Sequence, residues 1–211
     1  LVVRNATVVT ADETIQSDIG VKDGKIVSLG LTLPAATEEI DARDKYVLPG
    51  GIDSHVHIEQ DSAETGAKTA ADFLSTTVSA ACGGTTTLIP FVRQEKGQSL
   101  REAVNTYRAR PEGKAVIDYA LHLIITDPSA NVLNQEIPAL IEDGYTSIKV
   151  YMTYRAMMLS DYQILEVMSV ARRHGALVMV HAENADCITW LTEKLLESGR
   201  VAPKFKAVAH Q

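Results

Sequence analysis

The chain has 211 residues, 45% of them apolar and 5% aromatic, which allows one sizeable core and excludes a disordered chain. A formal net charge of -7, with no basic run, argues against nucleic acid as a partner. No apolar stretch reaches the length that crosses a bilayer and no charged-then-apolar leader opens the sequence, so no membrane is expected either.

Residues 1–45 read as short strands joined by turns. L-V-V-R-N-A-T-V-V-T is an apolar run rich in β-branched residues, and D-I-G-V-K-D-G-K-I-V-S-L-G is two strands around Asp23-Gly24, a dipeptide suited to a tight hairpin. The segment is too small for a core of its own and is expected to belong to a small β-domain completed by strands from elsewhere.

From Tyr46 the pattern changes to strands alternating with helices. V-L-P-G-G-I-D-S-H-V-H, residues 47–57, is an apolar approach, a turn signal and a strand closing on two histidines. Alternate residues of a strand share a face, so His55 and His57 can reach one ion together, and paired neutral imidazoles suit zinc. A lone histidine would read as a polar strand end; the H-x-H after Pro-Gly-Gly favours the metal.

Helical spacing over Ala67–Ala81 stops at Gly83-Gly84. Thr85–Phe91 is the next strand. Ser99, with Glu102 in capping-box position, opens a helix to about Arg110. Ala115–Thr126 reads as one long strand, followed after Asp127-Pro128 by a helix to about Asp143. Ser147–Met152 is a strand, Ser160–His174 a helix closed by Gly175, Leu177–His181 a strand, and Asn184–Ser198 a helix. Five successive strand-helix units with strongly apolar strands imply a parallel sheet clothed in helices, a barrel or an open sheet. No G-x-G-x-x-G or Walker loop follows the first strand, which weighs against a nucleotide-binding open sheet. A complete (β/α)8 TIM barrel takes about 250 residues. Residues 46–211 are therefore expected to be the first part of such a barrel, from the amino-terminal part of a longer protein.

In a barrel, functional side chains gather where strands end. Besides the histidine pair, Lys149 in S-I-K-V-Y-M and His181 in L-V-M-V-H-A-E-N take such positions. A buried ammonium is costly, so Lys149 either reaches solvent, pairs with a carboxylate, or is carbamylated into an anionic ligand. His181 alone could be a satisfied core histidine, but its strand end favours a ligand. His122 reads as a packed or outer residue, His174 as a helix-end residue, and His210 as a loop residue outside the site. Asp53 is placed beside the metal site as an outer hydrogen-bonding group. Cys82 and Cys187, outside any C-x-x-C pattern, read as buried or idle thiols in a reducing cytoplasm rather than a disulfide.

Taken in order, G-G-I-D-S-H-V-H, G-G-T-T-T, I-K-V-Y-M-T-Y and V-M-V-H-A-E-N resemble the cyclic-amidohydrolase branch of the amidohydrolase superfamily, and within it dihydropyrimidinases and D-hydantoinases. The resemblance implies a metal-dependent TIM barrel with a small amino-terminal β-sandwich. It implies two divalent metal ions, zinc foremost, held by His55, His57, Lys149 carbamylated by carbon dioxide, and His181. It assigns Tyr154 to hydrogen-bond the substrate's carbonyl as that oxygen becomes an oxyanion, making it both catalytic and substrate-binding. The family's strand-six histidine and strand-eight aspartate, its general base, do not occur in these residues. The implied reaction opens dihydropyrimidines or hydantoins to N-carbamoyl amino acids, in a cytoplasmic homotetramer acting on a small cyclic ureide or imide. Allantoinase, another cyclic ureide hydrolase, or a non-catalytic dihydropyrimidinase-like scaffold are the alternatives. Dihydroorotase is disfavoured because Ile58-Glu59-Gln60, with no arginine, follows the histidines; Glu59-Gln60 also departs from the more apolar loop of many dihydropyrimidinases.

Overall fold

A computed structural model of the chain describes residues 1–60 and 66–210. Two compact units result, Leu1–Gly51 and Ile52–Gln211. In the first, β1 (Val2–Val9), β2 (Thr14–Lys22), β3 (Lys25–Gly30) and β4 (Glu39–Asp41) form a sheet in the order β3-β2-β1-β4, and β5 (Tyr46–Val47) also pairs with β1. Asp23 and Gly24 take φ of 51° and 72°, the doubly left-handed turn of a two-residue hairpin. Tyr46 and Val47 lie beside Thr7 and Val8, so this unit runs past residue 45, where the sequence pattern changes. Its core is small: Ala6, Val8, Ile19 and Ala42. At a bulge in β1, Asp18 accepts from the Asn5 N–H (2.9 Å) and the Leu33 N–H (3.1 Å), and pairs with Arg4 (2.9 Å).

The second unit is a sheet with helices. Its strands are β6 (Gly51–Val56), β7 (Thr85–Arg93), β8 (Asp118–Tyr119), β9 (His122–Ile124), β10 (Ser147–Tyr151) and β11 (Leu177–His181), ordered β11-β10-β9-β7-β6 with β8 beside β7. The pairs β7–β9, β9–β10 and β10–β11 are parallel. The helices are α1 (Phe73–Cys82), α2 (Leu100–Arg108), α3 (Ile137–Glu142), α4 (Asp161–His174), α5 (Ala185–Glu197) and α6 (Lys206–Ala209). Ile148 and Val150 of β10 are fully buried in one cluster with Ile137, Leu140, Ile164 and Val167 from the helices. Alternation then turns Lys149 and Tyr151 to the opposite face.

Local chemistry sets the element ends. Ser160 caps α4 with a reciprocal bond from Gln163, and Gly175 closes it in the left-handed region (φ 78°), which a Cβ would penalise. Asn184 caps α5 as the sequence leads one to expect. Three elements differ from expectation. Helix α1 starts at Phe73, not Ala67, because Asp72 and Ser75 form a capping box. The long strand 115–126 is two short ones in the same register; the gap lies opposite Ile89-Pro90, and Pro90 has no N–H for the ladder. Between Asp127 and Asp143 the helix opens with a π-turn, Val132–Glu136, before α3, where Pro138 removes an i→i−4 donor. At α2, Ser99 accepts from the Glu102 N–H, while Glu136 takes the Leu100 and Arg101 N–H groups. Cys82 and Cys187 are free and exposed, not buried, on the surfaces of their helices.

Candidate metal centre

Strand β6 delivers the histidine pair. The His55 N–H donates to Asp53 Oδ1 at 3.0 Å, so Asp53 serves the backbone of the strand that carries the histidine pair. His57 lies just past the strand's last residue, Val56. The two rings sit 5.6 Å apart between centroids, and Phe91 of β7 packs on both, at 4.8 Å and 5.1 Å. His57 Nδ1 is 2.5 Å from Gln60 Oε1, while the Gln60 amide donates to the Phe91 carbonyl at 3.3 Å. That second bond orients the amide, so the oxygen accepts from Nδ1–H and Nε2 keeps its lone pair.

The loop behind the pair is fastened from outside. The Tyr107 hydroxyl donates to the Ile58 carbonyl at 2.6 Å, and Arg110 donates to the Glu59 carbonyl. The Glu59 carboxylate accepts from the Phe73 N–H (2.9 Å) and pairs with Lys114 (3.1 Å). Both residues that depart from the expected apolar loop therefore make internal bonds: Glu59 caps α1 and Gln60 orients His57.

Lys149 is 6% exposed. Its Nζ stands 5.3 Å from the Tyr151 ring centroid, and among the described residues no carboxylate pairs with it. Burial pushes its amine below the ordinary lysine value. Partial desolvation, and then the Lys149 charge, lower the His55 imidazole and so favour the neutral ring a metal needs.

On the other side, His181 ends β11. The Tyr151 ring stacks on it at 5.5 Å and Tyr154 approaches at 5.2 Å. Tyr154 has φ of 64°, rare for an aromatic residue, and its carbonyl accepts from Met157 (2.7 Å) and Met158 (2.8 Å), which holds the turn. His181 Nε2 lies 2.5 Å from Glu183 Oε2, and His210 Nδ1 lies 2.7 Å from Glu183 Oε1. These bonds hold the Glu183 carboxyl below its ordinary value. His210, set aside in the sequence, thus reaches the site's edge through Glu183.

Phe91, Ile124 and Tyr151 form one buried cluster, with Tyr154 packed against it. It joins the His55–His57 side to the His181 side, and Lys149 lies between, over Tyr151 and electrostatically coupled to His55. Among the described residues, no three His, Cys, Asp or Glu side chains stand close enough to hold a metal ion. The donor chemistry fits borderline divalent metals: imidazoles and a largely buried lysine with no carboxylate partner among the described residues. Lysine fits only after losing its ammonium proton, since an ammonium has no lone pair. Sequence reasoning missed the partners Gln60 and Glu183. Their signal was spacing, a carboxylate two residues after His181 and an amide three after His57.

Residues 46–200 match the model of the amidohydrolase family. The chain belongs to the amidohydrolase family. It is 44% identical to a D-hydantoinase of Rhizobium radiobacter over 99% of its length, covering 45% of that protein. It is also 44% identical to a D-hydantoinase of Geobacillus stearothermophilus, covering 98% of this chain and 44% of the relative. A solved D-hydantoinase structure superposes on all of it with a TM-score of 0.95 at 43% identity, 46% of that structure being covered. The crystal structure of dihydropyrimidinase from Brevibacillus agri NCHU1002 follows at 0.94 and 39%, likewise over all of this chain and 46% of that one. This amidohydrolase chain thus spans less than half the length of the relatives it matches. Its fold is that of the family: a partial TIM barrel and a separate small β-sheet.

Proposed function

We propose that the protein is a metal-dependent hydrolase opening the cyclic amide bond of hydantoins or dihydropyrimidines to N-carbamoyl amino acids. The observation that carries this is Lys149, a buried residue with no acidic partner among the described residues, placed between His55 and the Tyr151–His181 stack. The D-hydantoinase names of the relatives supply the substrate class.

In this reading His55, His57, Lys149 and His181 hold two divalent ions, zinc before others. Such ions make water nucleophilic at neutral pH and polarise a carbonyl. Burial keeps a larger share of Lys149 as free amine, the form that attacks carbon dioxide; the new C–N bond and loss of a proton leave an anionic carbamate. His57 is held with Nε2 available by Gln60, and His181 with Nδ1 available by Glu183. Tyr154 donates its phenolic hydrogen to the substrate oxygen as charge gathers there, supported by its position beside His181. A homotetramer in the cytoplasm follows from the resemblance alone.

The test uses the intact protein, stripped of metal and reconstituted with zinc, cobalt or manganese in bicarbonate buffer. It is offered dihydrouracil, hydantoin, a 5-substituted hydantoin and allantoin. Release of an N-carbamoyl amino acid that stops on chelation is the expected result. Opening of allantoin alone would replace the substrate assignment, and an oligomer that neither binds metal nor opens any ring would make the protein a scaffold.

A further inference from the structure

His122 is buried, 6% exposed, and the proposed chemistry does not use it, yet both its ring nitrogens are committed. Nε2 is 2.9 Å from the Ser54 carbonyl oxygen and Nδ1 is 2.5 Å from Ser147 Oγ. A carbonyl only accepts, so Nε2 carries the hydrogen, and the neutral ring's Nδ1 accepts from the serine hydroxyl. The partners lie on different strands. His122 stands on β9, Ser147 on the neighbouring β10, and Ser54 on β6, with β7 intervening in the sheet. The imidazole reaches past Phe91 of β7, 4.9 Å away between centroids.

Both ends of this bridge adjoin proposed ligands. The Ser54 oxygen belongs to the peptide unit that leads into His55, and the N–H of that unit is held by Asp53 Oδ1. One peptide is thus gripped at both ends. Ser147 precedes Lys149 by two residues, on the same face of β10. We infer that His122 is a positioning residue: an interior tie between β6 and β10 that fixes where His55 and Lys149 stand relative to one another. This rests on the metal-binding reading and adds a determinant that touches no ion.

The test compares His122→Gln with His122→Asn in the intact protein. The glutamine amide nitrogen reaches about where Nε2 stands and keeps the donation to Ser54; asparagine stops near Nδ1 and loses it. Zinc affinity is read by competition with a chromogenic chelator, and the melting temperature of the metal-free protein is read alongside. A positioning role weakens zinc binding by ~10- to 100-fold in the asparagine variant. The glutamine variant stays much closer to the parent, even where the two variants melt alike. Equal affinity losses in both variants, or parental affinity in the asparagine variant, overturn the inference while leaving the metal site standing. A parent that binds no zinc overturns both.

Discussion

Glu183 holds His181 through a 2.5 Å contact between Oε2 and the ring's Nε2, which leaves the lone pair of the neutral ring on the other nitrogen, Nδ1. Its second oxygen holds His210. Removing the carboxylate in Glu183→Ala releases both rings at once. Zinc affinity should fall by ~10-fold or more while the histidines themselves remain. Chelator competition on the intact protein decides it; unchanged affinity would show that the contact does not orient a ligand.

For Lys149 the expectation is loss of metal and activity together in Lys149→Ala, with partial rescue by a short carboxylic acid plus metal. Lys149→Arg should be equally inactive, because guanidinium keeps a positive charge and cannot form a carbamate. Reconstitution under carbon dioxide depletion should recover less activity, and bicarbonate should restore it. Full activity in the arginine variant would return this residue to a packing role.

Tyr154→Phe removes one hydroxyl from a ring held by the His181 contact and the 154–158 turn. A preorganised donor to a developing oxyanion contributes about 3 kcal/mol, so kcat should fall by roughly 100-fold. Metal content should stay at the parental level. A fall in metal content instead of kcat would place Tyr154 in the support of His181.

Much of this architecture was legible because single residues announce it. Asn184 and Ser160 mark helix starts, Gly175 a helix end, and Asp23-Gly24 a hairpin, each by local backbone chemistry. Lys149 and His181 could be placed on strands because their flanks are apolar, and His55 because the H-x-H follows an apolar approach and a Pro-Gly-Gly turn. What stayed hidden depends on partners distant in sequence. Pro90 interrupts strand 115–126 only because β7 happens to lie beside it. His122 looks like a core histidine until Ser54 and Ser147 appear at its two nitrogens. Asp72 was readable as a cap, but the helical spacing of the residues before it competed with that signal.

The first unit carries its own pH signature. Hydrogen bonds from the Asn5 N–H, Arg4 and the Leu33 N–H hold the Asp18 carboxyl below its usual range. A lowered folded-state value means the unfolded chain binds more protons in acid. The stabilisation is therefore complete above the unfolded value of about 3.9 and is lost as pH falls through the lowered folded value. Asp18→Asn should melt lower than the parent at neutral pH and converge with it in acid. Melting curves across that range check the sign; parallel curves would show that this carboxylate does not govern the acid limb.

The fastening of Ile58 and Glu59 by Tyr107, Arg110 and Lys114 gives residues on and just beyond α2 a hold on the histidine pair without contacting it. A substitution at Tyr107 would be classed by its burial as damage to the scaffold. Its phenotype should nonetheless include altered metal occupancy, because the Ile58–Glu59 peptide, one residue beyond His57, loses its anchor. For anyone seeking to change what such a site accepts, the backbone of these two residues is already committed. Room to alter preference lies in side chains whose own hydrogen bonds hold nothing else in place.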